Sequence, residues 1–226
     1  KKSESDTTIT YSTSYAQGNG GAIHATYDSW VTMYPGSRIT NCTAYNGGAV
    51  YTDHGTMEYW GTMFSGNTAA SLSENDKNNS SGKQVQYYIS GAGGACRGGS
   101  YYDCTISGNK ALYQGGGIYC GNVYNCVVEN NTASSDGGGI FAGRGSGTYA
   151  VKNSVIRNNT AEDGGGIAGG KTITDCEITG NQAYYGGGIN PDSGTTVEGC
   201  AISGNNAEKA GGGAYAEGGT LTNCTI

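Results

Sequence analysis

From residue 101 onward the apolar and polar positions of this chain repeat in register. The segments opening at Tyr101, Val123, Val151, Ile173 and Val197 share one grammar: apolar, variable, Asn/Asp/Gly, Cys, variable, Ile or Val, two variable residues, Asn, variable, Ala, then a short spacer and Gly-Gly-Gly. Cys and the Ile or Val two residues later alternate with variable residues such as Thr105, Val127, Glu177 and Ala201, the period-two signal of a strand with one buried face. The Cys position, with Ser154 taking it once, steps by 22, 28, 22, 24 and 24 residues. A unit this short cannot bury its apolar face alone, so successive units must stack, and no helical stretch separates the strands. The expected fold class is all-β: a right-handed, single-stranded parallel β-helix with coils of 22–28 residues.

Stacking at about 4.8 Å per coil predicts ladders of like residues. Ile106, Val128, Ile156, Ile178 and Ile202 form one, and Ile118, Ile140, Ile167 and Ile189 another on a separate strand. Cys104, Cys126, Cys176 and Cys200 form a third. Asn67, Asn109, Asn131, Asn159, Asn181 and Asn205 form a fourth, expected at a turn where Asn tolerates left-handed backbone and its amide bonds the Asn above and below. The glycine triplets suit a corner that needs positive φ or close chain approach.

Composition supports a periodic rather than an ordinary globular core. Gly reaches 43 against only 2 Pro, and there are just 2 Phe, 2 Trp and 3 Met. The net charge of −6 with scattered basic residues offers no phosphate-binding stripe, so nucleic acid is not an expected partner. There is no apolar run long enough to cross a membrane as a helix, and the amino terminus has no signal-peptide pattern. The eight cysteines include no CxxC or CxxH pair, so neither a metal nor any other cofactor is expected. Six of them, Cys42, Cys104, Cys126, Cys176, Cys200 and Cys224, are read at one repeat position as small interior residues, mostly reduced. On that reading Cys176→Ser should cost roughly 1 to 3 kcal/mol for a hydroxyl in an apolar stack. Cys96 aligns with Ile118, and Cys120 lies two residues further on, so a disulfide between these two is left open.

Gly20-Gly21-Ala22-Ile23, Gly47-Gly48-Ala49-Val50 and Phe64-Ser65-Gly66-Asn67 resemble the paired GGA(I/L/V) and FxxN repeats of the chlamydial polymorphic outer-membrane proteins. The later units look like the same repeat with Gly-Gly-Gly-Ile and Ile-x-x-Asn. The resemblance covers nearly the whole chain and implies an extracellular, cell-surface or secreted adhesin-like segment, with a surface protein or glycan of a host or neighbouring cell as partner. It carries fold and location further than ligand, because the repeated residues are those that make coils stack.

The leading functional reading is therefore a non-catalytic surface adhesin or stalk, expected as one solenoid over residues 1–226. The alternative is a polysaccharide lyase or hydrolase, or a glycan-binding module, on the same fold. Enzymes of that kind need converging carboxylates; Glu129, Glu177 and Glu198 are the outward candidates, with Lys152 and Arg157 nearby in repeat position, but their spacing forces no compact pair. His24 and His54 lie near Gly-Gly-Ala segments of successive coils without a third ligand at metal spacing. Binding is expected instead from an insertion at about 70–91, carrying Glu74, Asp76 and Lys77, and from surplus tyrosines at outward positions, Tyr102, Tyr124, Tyr184 and Tyr185. The outward column Thr40, Tyr102, Tyr124, Lys152, Thr174, Glu198 and Thr222 is chemically mixed, unlike the flat Thr array of an ice-binding face. The final Leu221-Thr222-Asn223-Cys224-Thr225-Ile226 repeats the opening of a unit, so further coils and end-to-end self-association are expected.

Overall fold

A computed structural model describes residues 8–10, 19–26, 29–52, 56–70, 91–144 and 149–226. They form a right-handed parallel β-solenoid of about seven turns, without an α-helix among the described residues. Three long sheets run along it, of eight, seven and eight strands, and every described pairing between neighbouring coils is parallel. Each coil visits the sheets in one order. A glycine corner leads into the short strands of the corner sheet (Val50–Thr52, Cys96–Arg97, Ile118–Tyr119, Ile140–Phe141 and their equivalents). Next come the strands of the groove sheet (Thr56–Trp60, Ser100–Tyr102, Asn122–Tyr124, Ala150–Lys152). The strands of the ladder sheet follow (Met63–Ser65, Thr105–Ser107, Val127–Glu129, Val155–Arg157) before the chain returns to glycine.

The period-two pattern sends alternate residues inward. Ile106, Val128, Ile156, Ile178 and Ile202 are register partners in successive coils, as are Ile118, Ile140, Ile167 and Ile189, and all are essentially fully buried. The early coils continue both columns with Ile39 and Phe64, and with Val50 and Cys96. Bulky side chains are few, so the interior is filled by stacking like on like. Tyr59 and Tyr101 stack with centroids 4.8 Å apart and Phe64 meets Tyr59 edge-on, so aromatic rings fill the core of these coils.

The turns are sorted differently from the sequence expectation. The ladder asparagines are not the left-handed residues. That conformation falls on the position before each, at Gly66, Gly108, Asn130, Asn158, Gly180 and Gly204. A second series, Gly61, Asp103, Asn125, Asn153, Asp175 and Gly199, turns the chain just before the Cys position. Only Gly, or Asn and Asp with their short polar side chains, take this backbone cheaply, which explains why the repeat writes Asn, Asp or Gly at both places. The ladder asparagines point inward. Asn131 Nδ2 donates to Asn159 Oδ1 and to Ile106 O, both at 3.0 Å, while its Oδ1 accepts the Asn109 backbone N–H and Nδ2 at 2.9 Å. The same pattern runs from Asn67 to Asn205. A buried amide column thus closes backbone hydrogen bonds that the turn would otherwise orphan.

The cysteine column is a smaller version of that device. Cys104, Cys126, Ser154, Cys176 and Cys200 are buried, and each donates to a backbone carbonyl two residues earlier. Ser154 Oγ also accepts the Cys126 N–H at 3.1 Å, just as Cys126 Sγ accepts that of Cys104. Cys42 does not belong to this column: its N–H donates to Asn67 Oδ1, so it occupies the asparagine position of its coil, and Thr62 holds the Cys position of the next. The first described coil spends one more residue than the next between Met33, the partner of Tyr59, and Ile39, the partner of Phe64. Ile39-Thr40-Asn41-Cys42 therefore fills the place of Phe64-Ser65-Gly66-Asn67, with Asn41 as the left-handed residue and Cys42 where the ladder asparagine stands in the next coil.

The glycine corners have a steric cause. A Cβ on Gly116 would lie 2.2 Å from Gly138 O in the next coil, so backbone there stacks directly on backbone.

Candidate functional site

Two concave regions lie on the outside of the solenoid. The larger, about 620 Å3, runs where the corner sheet turns into the groove sheet. Its existence follows from a local sequence feature, the pair Gly98-Gly99, which puts bare backbone between Arg97 and Ser100. Both glycines have positive φ, and a Cβ on Gly98 would meet Thr52 Cγ2 at 2.5 Å while one on Gly99 would meet Tyr59 Cε2 at 2.7 Å. Tyr101 Oη donates to Gly98 O at 2.5 Å, fixing this floor to the core.

One wall is an outward column of the corner sheet in which Tyr51, Arg97, Tyr119 and Phe141 are register partners. The guanidinium carbon of Arg97 lies 5.3 Å from the Tyr51 ring centroid and 5.0 Å from that of Tyr119, within cation–π range of both. Its N–H groups make no hydrogen bond or ion pair with a described residue. Tyr119 stacks in turn on Phe141 with centroids 5.1 Å apart. Burial pushes the Tyr119 and Tyr149 hydroxyls up from their ordinary value, and it holds the Cys120 thiol up at about 11, with Arg97 opposing each shift. Among the described lining residues the groove therefore presents the Arg97 guanidinium beside phenols and a thiol that burial keeps protonated at neutral pH.

The groove continues onto the face of the neighbouring sheet. Ser100 and Asn122 line it, and two residues further along the same strands stand Tyr102 and Tyr124, about 7 Å away at strand rise. Trp60, Tyr102 and Tyr124 stack in successive coils with centroids 4.1 Å and 5.2 Å apart and planes within 14° of parallel. Tyr34, which follows the register partner of Tyr59, extends the strip and is strongly exposed. Lys152, Thr174, Glu198 and Thr222 continue it in the other direction.

The second concavity, about 470 Å3, is lined by acid. Arg144 bonds Asp136 at 2.6 Å and reaches Asp192 at 3.9 Å, and Gln114 also donates to Asp136. Burial and the Asp136 charge raise the Asp163 carboxyl above its ordinary value. Tyr185 lines this region; it meets Tyr184 edge-on and Tyr215 at 5.0 Å, and Lys209 lies over the Tyr184 ring.

The residues singled out from sequence are thus divided. Tyr102 and Tyr124 come together on the groove sheet, joined by Trp60, which the sequence reading passed over; Tyr184 and Tyr185 stand beside the acidic concavity. Thr40 is not in the Tyr102 column, because it pairs with Ser65 on the ladder sheet. Glu129 and Arg157 are register partners and form a 2.7 Å ion pair on the ladder sheet. Glu177 lies two residues out of line with Glu129 on that sheet and Glu198 lies on the groove sheet, so the three carboxylates do not converge. Glu74, Asp76 and Lys77, with residues 71–90 of the insertion, lie outside the described residues, as does His54; His24 packs edge-on against Tyr51. All eight thiols are free, and Cys96 points into the core while Cys120 sits in a left-handed bend at the groove, so these two do not share one interior. Arg97 was missed although the alignment of Cys96 with Ile118 already set it beside Tyr119; the Gly-Gly pair directly after it was a second signal.

The described residues contain no group of three His, Cys, Asp or Glu arranged to hold a metal ion. The column thiols are buried, and each is engaged with a backbone carbonyl two residues earlier; the hydrogen bond between Cys176 and Cys200 raises the first thiol and lowers the second to about 7.

No curated protein and no solved structure matches the chain. A family match does exist, over residues 95–223, more than half of the chain and nearly every coil beyond the insertion, and on it the chain belongs to the family described as periplasmic copper-binding protein (NosD).

Proposed function

We propose that this chain is a non-catalytic, adhesin-like binding segment of the cell envelope or cell surface, which holds glycan on the outer face of the groove sheet. The observation that carries the reading is the Trp60, Tyr102 and Tyr124 stack: three flat rings held parallel on a rigid scaffold, with the 620 Å3 groove beside them. Exposed aromatic rings present large, pre-ordered contact area to the apolar faces of sugars or to a protein partner. The periplasmic description of the family and the likeness of the repeats to chlamydial surface proteins both support an envelope location. The copper in the family's description is not carried over to this chain, because the thiols are spent on backbone carbonyls and the described donors do not gather.

A glycan array probed with the purified chain tests the reading. Binding to a restricted set of oligosaccharides is expected, weakened about tenfold or more by Tyr102→Ala and by Trp60→Ala. Binding indifferent to both substitutions removes the aromatic face from the account, and cleavage of a bound polysaccharide, abolished at Glu129, Glu177 or Glu198, would establish the enzymatic alternative instead.

A further inference from the structure

We infer that the groove beside the aromatic face is a subsite for the carboxylate of a uronic acid unit, with Arg97 as its recognition residue. The inference deepens the glycan-binding reading above and rests on it. In an acidic chain with a net charge of −6, Arg97 stands in the larger concavity with both neighbours in its column aromatic. The guanidinium carbon lies over both the Tyr51 and the Tyr119 ring, and no described group takes its N–H donors. A guanidinium held this way is a pre-positioned planar fork, whose geometry matches the two oxygens of a carboxylate.

The surroundings set the ligand class. Arg97 is the one basic side chain among the described residues that line the groove, and a guanidinium balances a single negative charge, whereas phosphate-recognising sites gather several basic groups. Ser100 and Asn122 add neutral hydroxyl and amide groups suited to sugar hydroxyls, and Tyr119 and Tyr149 are held as neutral phenols. The bare Gly98-Gly99 floor leaves room for a ring against backbone. From this subsite the strands lead in two residues to Tyr102 and Tyr124, so a chain with its acidic unit at Arg97 can lay neighbouring units on the rings.

The test uses the intact chain with oligogalacturonate of about six units and its fully methyl-esterified form, by titration calorimetry in low salt. Wild type should bind the acid about tenfold or more tightly than the ester, and added salt should shrink the difference. Arg97→Gln should erase the preference by bringing the acid's affinity down to that of the ester; Arg97→Lys, which restores the charge without the fork, should recover part of it. Trp60→Ala should weaken both forms alike. Equal binding of acid and ester by wild type, or a preference that survives Arg97→Gln, overturns the subsite and leaves the aromatic-face reading standing. Failure of both forms to bind, with other glycans bound through the aromatic face, overturns the uronate assignment; failure of every glycan overturns both readings. The acid-to-ester comparison in wild type decides the matter even where a variant does not fold.

Discussion

Asn130 and Asn131 are neighbours of one residue type with opposite jobs, and substituting each in turn tests the account of the fold. Asn131 is fully buried and its side chain makes four hydrogen bonds, two donated and two accepted. Leucine of similar size strands the Asn109 backbone N–H and one Asn109 amide hydrogen, both without water. Each buried donor left unmade costs about 1–3 kcal/mol, so with a small return from the added apolar surface Asn131→Leu should destabilise by about 3–5 kcal/mol. Asn130 is exposed with φ of 57°. Asn130→Ala pays only for left-handed backbone, about 1–2 kcal/mol, and Asn130→Gly should be close to neutral. Urea denaturation of the three variants gives the free energies. Amide exchange at Asn109 gives a local readout, because that N–H loses its acceptor only in Asn131→Leu. A cost for Asn131→Leu within 1 kcal/mol of wild type, or no larger than that of Asn130→Ala, would refute the buried amide column as a main support of the solenoid.

Cys176→Ser should cost less than about 1 kcal/mol by the same denaturation assay, below the sequence expectation, because Ser154 already satisfies an equivalent site in the column; a cost above 2 kcal/mol would restore the view of an apolar stack. Stability should fall at alkaline pH. Burial raises Cys120 from 9.0 to about 11 and raises Tyr119 and Cys96 as well, so the folded chain keeps protons that the unfolded chain releases. That contribution is complete below pH 9 and is lost as pH climbs toward 11, so a denaturation midpoint unchanged between pH 8 and 10.5 contradicts it. Glu129→Gln should alter stability by no more than about 1 kcal/mol, since its ion pair with Arg157 is solvent-exposed, and should leave glycan binding intact; loss of binding would move the site to the ladder sheet.

The sequence alone was enough for the coil and for most of its ladders, because a solenoid places equivalent residues of successive units in direct contact; the sequence reading merged the groove and ladder strands, which a left-handed residue before each Cys position separates. A letter repeated every 22 to 28 residues is then already a statement about a neighbour. Ile106 above Val128 and Asn109 above Asn131 could be paired without coordinates for that reason. Which asparagine turns the chain and which faces inward could not be settled that way, since both stand side by side and only the register with the next coil decides whose amide is buried. Cys42 shows the same limit: its local letters match those at Cys224, yet Ile39 pairs with Phe64 on the ladder sheet while Leu221 pairs with Val197 on the groove sheet, so Cys42 stands on the asparagine column. The groove was least legible. Tyr51, Arg97 and Tyr119 each follow the Gly-Gly corner motif in three successive coils, so their column is implied by the repeat, but the space beside them depends on parallel pairing of their strands and on Gly98 and Gly99 keeping side chains out of it. Repetition can be read along a chain, but convergence of unlike residues on one face depends on how many residues each coil spends before it returns.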